Sequence, residues 1–497
     1  MCGSLLTHTM STKWGHSIAA TATQEIDAQL VRIISILGYV MKHLFKEFYI
    51  FRHPRLAIPF TFITFAKDYK NNRTDNPMKK SILLLFAALL PLVASAEKVE
   101  IDGIWYNLVS KAKQAEVTYK GDSYDEYNEY SGSITIPATV TYEGVNYSVT
   151  SIGESAFCDC SNLKSVNIPE SVKSIEVGAF GSSSLESINI PKNSQLTSIG
   201  YYAFSGCSSL TTIDIPEGVT SIGSSTFYNC SSLTTINIPK NLQLTSIEEF
   251  AFLYCSSLTS IDIPEGVTRI AGSAFQGCSS LTAITIPENS QLTSIGSGAF
   301  EGCSSLTAID IPESVTGIEG YAFSGCSSLT SINIPKRVTS IESGAFKGCS
   351  SLAEINVPEG VTSIGRYAFR DCNNLTTFVL PKSLKYIDQE AFANCAGLLD
   401  VYCHAKTVPL TESNAFEKSF PEYMTLHVPA SALNGYKTTA PWSSFGNIVA
   451  LTEEEMDVEQ LTKDNSQLII YNLCGQRIDR IEQGGIYIVN GKKVVIK

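Results

Sequence analysis

Ala322-Phe323-Ser324-Gly325-Cys326-Ser327-Ser328-Leu329-Thr330-Ser331-Ile332-Asn333-Ile334-Pro335-Lys336-Arg337-Val338-Thr339-Ser340-Ile341-Glu342-Ser343-Gly344 is one period of a pattern that organises most of this chain. Within it, Ile332-Asn333-Ile334 alternates with period two, so it reads as a short strand with one buried face. Pro335 has no backbone N–H to donate and ends that strand. Val338-Thr339-Ser340-Ile341 reads as a second extended piece, with Val338 and Ile341 turned inward. The Gly-x-x-Ala-Phe stretch that follows is expected to be a tight helical or 3-10 turn that drops the Phe ring into the core. A single period cannot hide its own apolar groups, so successive copies must stack.

The copies are numerous. The marker phenylalanine recurs at Phe157, Phe180, Phe204, Phe227, Phe252, Phe275, Phe300, Phe323, Phe346, Phe369, Phe392 and Phe416, mostly 23 residues apart. Longer spacings of 24 or 25 occur where an Asn-x-Gln-Leu variant lengthens a turn, at Asn193–Leu196, Asn241–Leu244 and Asn289–Leu292, or through small shifts elsewhere. At a strand separation of about 4.8 Å, twelve coils would build a rod or arc on the order of 55 Å long. The expected fold is a repeat solenoid, mainly β with short helical or 3-10 turns, with one parallel strand ladder per face and a cap at each end.

The string C-S-S-L-T-x-I-x-I-P-x-x-V-T-S-I-G-x-x-A-F resembles the BspA-type (Treponema pallidum-type) leucine-rich repeat, over roughly residues 147–416. The resemblance implies a curved, right-handed leucine-rich-repeat arc carried by exported surface proteins. It also implies adhesion to host proteins and to other microbes.

Charge and composition narrow the function. Residues 1–77 hold 9 Lys/Arg against 5 Asp/Glu, and Lys79 and Lys80 add two positive charges. With a whole-chain charge of −12, residues 97–497 therefore stand at −18. So acidic a body repels a phosphate backbone, and nucleic acid is not an expected partner. Four of the six histidines precede residue 78. Histidine-based catalysis or metal binding would have to use His404 and His427, in the irregular C-terminal part.

One cysteine recurs per period: Cys207, Cys230, Cys255, Cys278, Cys303, Cys326, Cys349, Cys372 and Cys395, with Cys160 at the matching place in the first repeat. Stacked coils would bring neighbouring α-carbons about 5 Å apart, within disulfide range, but with side chains parallel and not facing one another. The thirteen cysteines after Ala96 cannot all pair. With neither a CxxC pair nor a nearby His, the column reads as buried thiols capping the turn before the strand, with no metal. Cys158, Cys403 and Cys474 lie off this column.

Binding is expected on the outward face of the strand ladder, where each coil presents one or two variable side chains. The residue between the two strand isoleucines runs Asn167, Asn189, Asp214, Asn237, Asp262, Thr285, Asp310, Asn333, Asn356. Asp214, Asn237, Asp262, Thr285, Asp310, Asn333 and Asn356 are the candidate ligand-binding residues. The exposed pair before them is mostly Thr or Ser, as in Thr211-Thr212, Thr234-Thr235, Thr259-Ser260 and Thr330-Ser331. This polar face reads either as a multivalent docking surface for a protein or glycan, or as a solvated face with cross-coil Thr and Asn ladders. It lacks the aromatic anchors of tight protein contacts, which favours many weak contacts acting together. Asp214, Asp262 and Asp310 would stand about 10 Å apart on a flat surface. Paired carboxylates of glycosidases work about 5–10 Å apart but across a cleft, so no catalytic residue and no cofactor is assigned.

The ends have their own signatures. Met78-Lys79-Lys80, the apolar Ile82–Val93 and Ala94-Ser95-Ala96 form the basic, hydrophobic and small-x-small parts of a secretory signal peptide over 78–96. Residues 1–77 are then expected to lie upstream of the true start. The alternative is a membrane segment around Leu30–Ile50, which Arg32, Lys42, His43, Lys46 and Glu47 interrupt. Residues 97–146 read as a β-rich N-terminal cap with a strand at Ile104–Leu108 and a tyrosine-rich turn over Asp122–Tyr130. There, Tyr124, Tyr127 and Tyr130 suit either partner contact or packing over the first coil.

Repeats fill 147–416 and a capping repeat 417–450, where Trp442 and Phe445 are expected to close the last coil. Residues 451–497 read as an acidic linker (Thr452–Gln460) and a β-tail with a hairpin from Ile486–Val489 to Val494–Ile496. That tail resembles the C-terminal secretion and sorting modules of exported Bacteroidota proteins, and otherwise reads as a small terminal β-unit. Together these readings predict an exported, monomeric, non-catalytic scaffold, at the cell surface, outer-membrane-associated or extracellular, without a transmembrane span in the mature chain. Its expected partners are host or bacterial surface proteins, with glycans taken up as nutrients as the alternative.

Overall fold

The computed structural model describes residues 97–121, 130–240 and 243–452, and the tail strands at 470–472, 477–478, 485–489 and 492–496. Of the two units into which the chain divides, the second, Ala94–Lys497, holds all of the described residues. The upstream stretch, the signal segment, Tyr124, Tyr127, the acidic linker after Thr452 and Cys474 lie outside the described residues.

The second unit is a parallel-strand β-solenoid whose coils are joined along three lines. The first line consists of the period-two strands. Ser131–Thr135, Asn162–Asn167 and Ser187–Asn189 pair in one sheet, Thr212–Asp214 with Thr235–Asn237 in a second, and Ser260–Asp262 with Ala283–Thr285 in a third. Ser331–Asn333, Glu354–Asn356, Thr377–Leu380, Asp400–Cys403, Thr425–Val428 and Asn447–Ala450 form a six-stranded sheet. The second line is made of two-residue strands such as Ser198–Ile199, Ser221–Ile222, Ser340–Ile341 and Ser363–Ile364, again parallel from coil to coil.

The third line is the Ala-Phe turn itself. The Phe180 N–H donates to the Ala203 carbonyl at 2.7 Å, Phe275 to Ala299 at 2.8 Å and Phe323 to Ala345 at 2.9 Å. The same bond recurs for every coil from Phe157 to Phe392, with Thr226 taking the place of alanine once. Sequence reading expects a helical or 3-10 turn at this point, whereas the structure has a run of consecutive turns. Positive φ at the second residue before and after the ring explains the difference: around Phe323 these are Tyr321 at 59° and Gly325 at 72°. A left-handed residue on either side stops a right-handed helix from forming. The described helical pieces sit instead near the C-terminal end, at Pro421–Tyr423, Ala430–Ala432, Leu433–Thr438 and Trp442–Ser444.

The first line lapses after Ser187–Asn189, Thr235–Asn237 and Ala283–Thr285. These are the three strands followed by an Asn-x-Gln-Leu insertion; a further lapse, before Ser331–Asn333, falls at the Asp310 coil, which has no assigned strand and is not lengthened. Other bonds carry the stack across, including Thr259 N–H to the Thr234 carbonyl at 3.3 Å and the unbroken turn line.

The core follows from the repeat. Consecutive marker rings from Phe157 to Phe416 lie 5.1–5.7 Å apart, centroid to centroid, with interplanar angles of 1–15°. Near-parallel rings at that separation are offset, the arrangement that ring quadrupoles favour. The strand and short-strand isoleucines, the pre-strand leucines and the column cysteines pack around them in one continuous cluster.

Both ends of the stack are covered. Glu97–Ile101, Ile104–Val109 and Gln114–Thr118 pair antiparallel, and Gln114–Thr118 then pairs parallel with Val145–Ile152, from which the two-residue ladder continues. Tyr130 is buried beside Phe157 at 4.8 Å, its hydroxyl donating to the Thr118 carbonyl and accepting from the Trp105 N–H. It packs over the first coil and is not an external contact. At the other end, Trp442 and Phe445 meet the Phe416 ring edge-on at 5.7 and 5.2 Å. In the tail, Gly485–Val489 pairs antiparallel with Lys492–Ile496, Val489 opposite Lys492. The return strand thus begins two residues earlier than the sequence suggests, and the connection is two residues instead of a longer turn.

Candidate functional site

The outward positions of the first line are where the sequence places them. Ile213 and Ile236 point into the core while Asp214 and Asn237 are exposed and in register, as are Asp262 and Thr285 on the next pair. Strand alternation alone dictates this, since successive side chains leave opposite faces. The Asn237 side-chain amide donates to the Asp214 carboxylate across the coils.

The threonines before these strands have a structural task. Thr234, Thr282 and Thr330 hydroxyls donate to the carbonyls of Thr211, Thr259 and Thr307, one coil earlier, at 3.1–3.3 Å. Their side-chain donors hold neighbouring coils together instead of pointing to a ligand.

Around the Thr212–Asp214 and Thr235–Asn237 pair the face dips into an open groove of about 520 Å³. Asp214, Asn237 and Asp262 line it, with Lys192 and Glu217 at its edge. This strand pair is hydrogen-bonded to no further strand on either side, because the flanking lapses isolate it. Of the other candidates, Thr285 adjoins Asp262 across a strand pair. Asp310 is exposed in a coil without an assigned strand, and Asn333 and Asn356 face each other, half-buried, in the six-stranded sheet. Three of the seven candidates therefore share one depression, and four do not.

The groove offers carboxylates, an amide and an ammonium, the chemistry for hydrogen bonds and charge pairing with a polar partner. The residue after each strand proline adds to this, running Glu170, Lys192, Glu217, Lys240, Glu265, Glu288, Glu313, Lys336, Glu359, Lys382. Signs alternate from coil to coil except at Glu265, Glu288 and Glu313, which leaves that stretch acidic. Lys382 and Glu359 approach to 4.0 Å. Among the described residues, no group of three or more His, Cys, Asp or Glu is placed to hold a metal ion.

The strand row continues beyond Asn356 as Val379, Tyr402 and His427, by register. The Tyr402 and His427 rings stack at 4.1 Å and 10°, and His427 Nε2 lies 3.0 Å from the Asp400 carboxylate. This corrects the expectation that the face carries no aromatic side chain. Tyr402 is buried, however, and packs with Leu451 and Val379. The signal was present in Phe378-Val379-Leu380, Val401-Tyr402-Cys403 and Leu426-His427-Val428, which keep period two after the rest of the motif has decayed.

The column cysteines are free thiols with a defined partner. Cys207, Cys230, Cys303, Cys349 and Cys395 each donate to the carbonyl of the marker phenylalanine one coil earlier, at 3.0–3.2 Å. Burial pushes the thiols of Cys207, Cys303, Cys349 and Cys395 up to about 12, so they stay protonated and are neither nucleophiles nor ready ligands.

A parallel β-solenoid with a repeated Leu-x-x-Ile-x-Ile face and a polar outer row defines the leucine-rich-repeat class. Within that class, the family model described as BspA type leucine rich repeat region matches in six copies, at residues 139–245, 179–292, 245–370 and 293–424. These matches span more than half of the chain, which belongs to the BspA-type leucine-rich-repeat family. Among solved structures, a leucine-rich repeat protein from Bacteroides ovatus is 26% identical, covers 71% of this chain and 100% of its own, and has a TM-score of 0.49. A leucine rich cell surface protein from Faecalibacterium prausnitzii is 28% identical over 75% of this chain and 98% of its own, with a TM-score of 0.42. The pneumococcal vaccine antigen PcpA is 19% identical over 73% of this chain and 100% of its own, with a TM-score of 0.49. No curated protein sequence matched the chain.

Proposed function

We propose that the chain is an exported, non-catalytic scaffold that binds a protein on a host or microbial surface through its polar strand face. The supporting observation is the groove that gathers Asp214, Asn237 and Asp262 with Lys192 and Glu217 on exposed backbone of fixed register. Its side chains are short, of both signs and repeated, which suits several weak polar contacts acting together. On this reading residues 78–96 direct export and the tail from 451 anchors or sorts the protein. Among the described residues no helix is long and apolar enough to cross a membrane.

The test is retention of the full chain on immobilised extracellular-matrix proteins and on intact bacterial cells, measured by surface plasmon resonance. A saturable partner is expected, and the combined Asp214→Lys, Asn237→Lys and Asp262→Lys variant should bind it at least tenfold more weakly. Retention unchanged in that variant would remove the strand face from the account.

A further inference from the structure

The turns around the marker phenylalanines from Phe157 to Phe392 each have two left-handed positions, and most coils fill them with residues that tolerate positive φ. Ser155, Gly178, Gly298 and Gly344 stand before the ring; Asp159, Gly206, Asn229 and Gly302 stand after it. Some coils place large aromatics there instead: Tyr202 at 56°, Phe250 at 59° and Tyr254 at 61° on neighbouring coils, and Tyr321 at 59° and Tyr367 at 60° farther along. Left-handed backbone is unfavourable for a residue that carries a side chain, so the turn itself does not ask for these rings. Nor does the core use them, since Tyr202 and Tyr254 are about half exposed, at 52% and 48%, and Phe250 at 39%. Tyr201 is exposed beside Tyr202, and Tyr228 meets Tyr254 edge-on at 6.2 Å. Three successive coils thus carry five aromatic side chains on their turns.

We propose that this ledge is a second binding surface, apart from the strand groove, and that it takes an extended, neutral, β-linked polysaccharide. Pitch is the first reason. The marker rings beneath these coils are 5.5 and 5.3 Å apart, close to the length of one sugar in an extended β-linked chain. Chemistry is the second. The electron-rich faces of tyrosine and phenylalanine attract the weakly positive C–H edges of a pyranose. Rigid tyrosines lose little entropy on binding, and their hydroxyls can bond to sugar hydroxyls. Charge is the third. Turn residues 200–206 and 223–229 carry no charged side chain; on the third coil Glu248 accepts from the Ser246 hydroxyl and Glu249 lies 3.8 Å from Arg269. A protein hot spot would need a closed, desolvated pocket, which an open ledge of one or two rings per coil does not supply.

Isothermal titration calorimetry of the full chain against cellohexaose, xylohexaose, maltohexaose and a sulfated heparin hexasaccharide tests this proposal. Binding to at least one of the two β-linked hexasaccharides is expected. The Tyr202→Asn, Tyr254→Asn double variant should bind it at least tenfold more weakly. Because asparagine tolerates positive φ, that variant should melt no lower than the parent, and Tyr254→Phe should keep its affinity. Tyr367→Asn, on a distant coil, should leave affinity unchanged. No binding of either β-linked sugar, binding of maltohexaose or heparin alone, or full affinity in the double variant would overturn the proposal. None of these outcomes bears on the strand groove, whose test uses other residues.

Discussion

The Cys326 thiol donates a hydrogen bond of 3.2 Å to the backbone carbonyl of Phe300, one coil earlier. That carbonyl also accepts from the Cys303 N–H of its own coil at 3.1 Å. The thiol therefore acts as a peg between coils, satisfying the second lone pair of a carbonyl that no water reaches. In the last coil Ser419 makes the same bond to the Phe392 carbonyl, so the position selects for a short donor and not for sulfur chemistry.

Replacing the peg should separate these roles. Cys326→Ser keeps a donor and should change stability by less than about 1 kcal/mol, while Cys326→Ala removes it and should cost about 1–2 kcal/mol. Urea denaturation midpoints of the two variants decide the matter. Equal midpoints would mean that the bond contributes nothing.

Alkaline pH should unfold the protein through the same column. An ordinary thiol ionises near 9.0, and burial holds Cys207, Cys303, Cys349 and Cys395 up to about 12. The folded pKa is raised, so this contribution is fully present below pH 9 and is lost as pH rises toward 12, where the unfolded chain has released protons that the folded chain keeps. Serine at these four positions should flatten the pH dependence of stability between 9 and 11 by close to four protons, measured by denaturant melts under reducing conditions. An unchanged slope would contradict the assignment.

The ring stack predicts a graded core response. Phe300 touches the rings of Phe275 and Phe323, both at 5.4 Å. Phe300→Ala should cost about 3–5 kcal/mol and Phe300→Leu clearly less, because leucine refills most of the cavity. Calorimetry should show the alanine variant melting in two steps, as the coils on either side lose their coupling. A single, barely shifted transition would argue against a continuous core.

Gly344 and Tyr321 provide a local test of coil-to-coil fit. A Cβ on Gly344 would run into the Tyr321 ring, whereas one on Gly348 would meet only the Gly325 backbone at an ordinary 3.6 Å. Both glycines have positive φ, 62° and 71°, so both alanine variants carry similar backbone strain. Gly344→Ala should nevertheless be the more destabilising, and the excess should vanish in a Tyr321→Ser background. A double-mutant cycle with no coupling would show that the ring does not rest there.

Much of the solenoid was legible because its physics is periodic. Ile332-Asn333-Ile334 announced a strand, Pro335 its end, and Phe323 a core ring, and each recurs where stacking puts it. The turn differs from the expected helix because its left-handed positions, marked by glycine or asparagine in several coils (Gly178, Gly206, Asn229, Gly344), are filled by Tyr321 and other side-chain-bearing residues elsewhere, which hides the column. The outward direction of the candidate row follows from strand alternation, whereas its grouping into depressions could not be read from the repeat. Which of Asp214, Asn237, Asp262, Thr285 and Asp310 share a groove depends on where the Asn-x-Gln-Leu insertions interrupt strand pairing. Tyr402 was not legible on this row because Val401-Tyr402-Cys403 keeps the alternation but not the Ile-x-Ile spelling.

Backbone amide exchange measures the central claim, that every coil rests on the next without a gap. Hydrogen–deuterium exchange with mass-spectrometric readout should find the Phe180, Phe204, Phe227, Phe252, Phe275 and Phe300 turns uniformly protected, including where strand pairing lapses after Asn189, Asn237 and Thr285. Fast exchange of whole turns at any of those three places, with slow exchange on either side, would show separate blocks instead of one stack and would contradict the account.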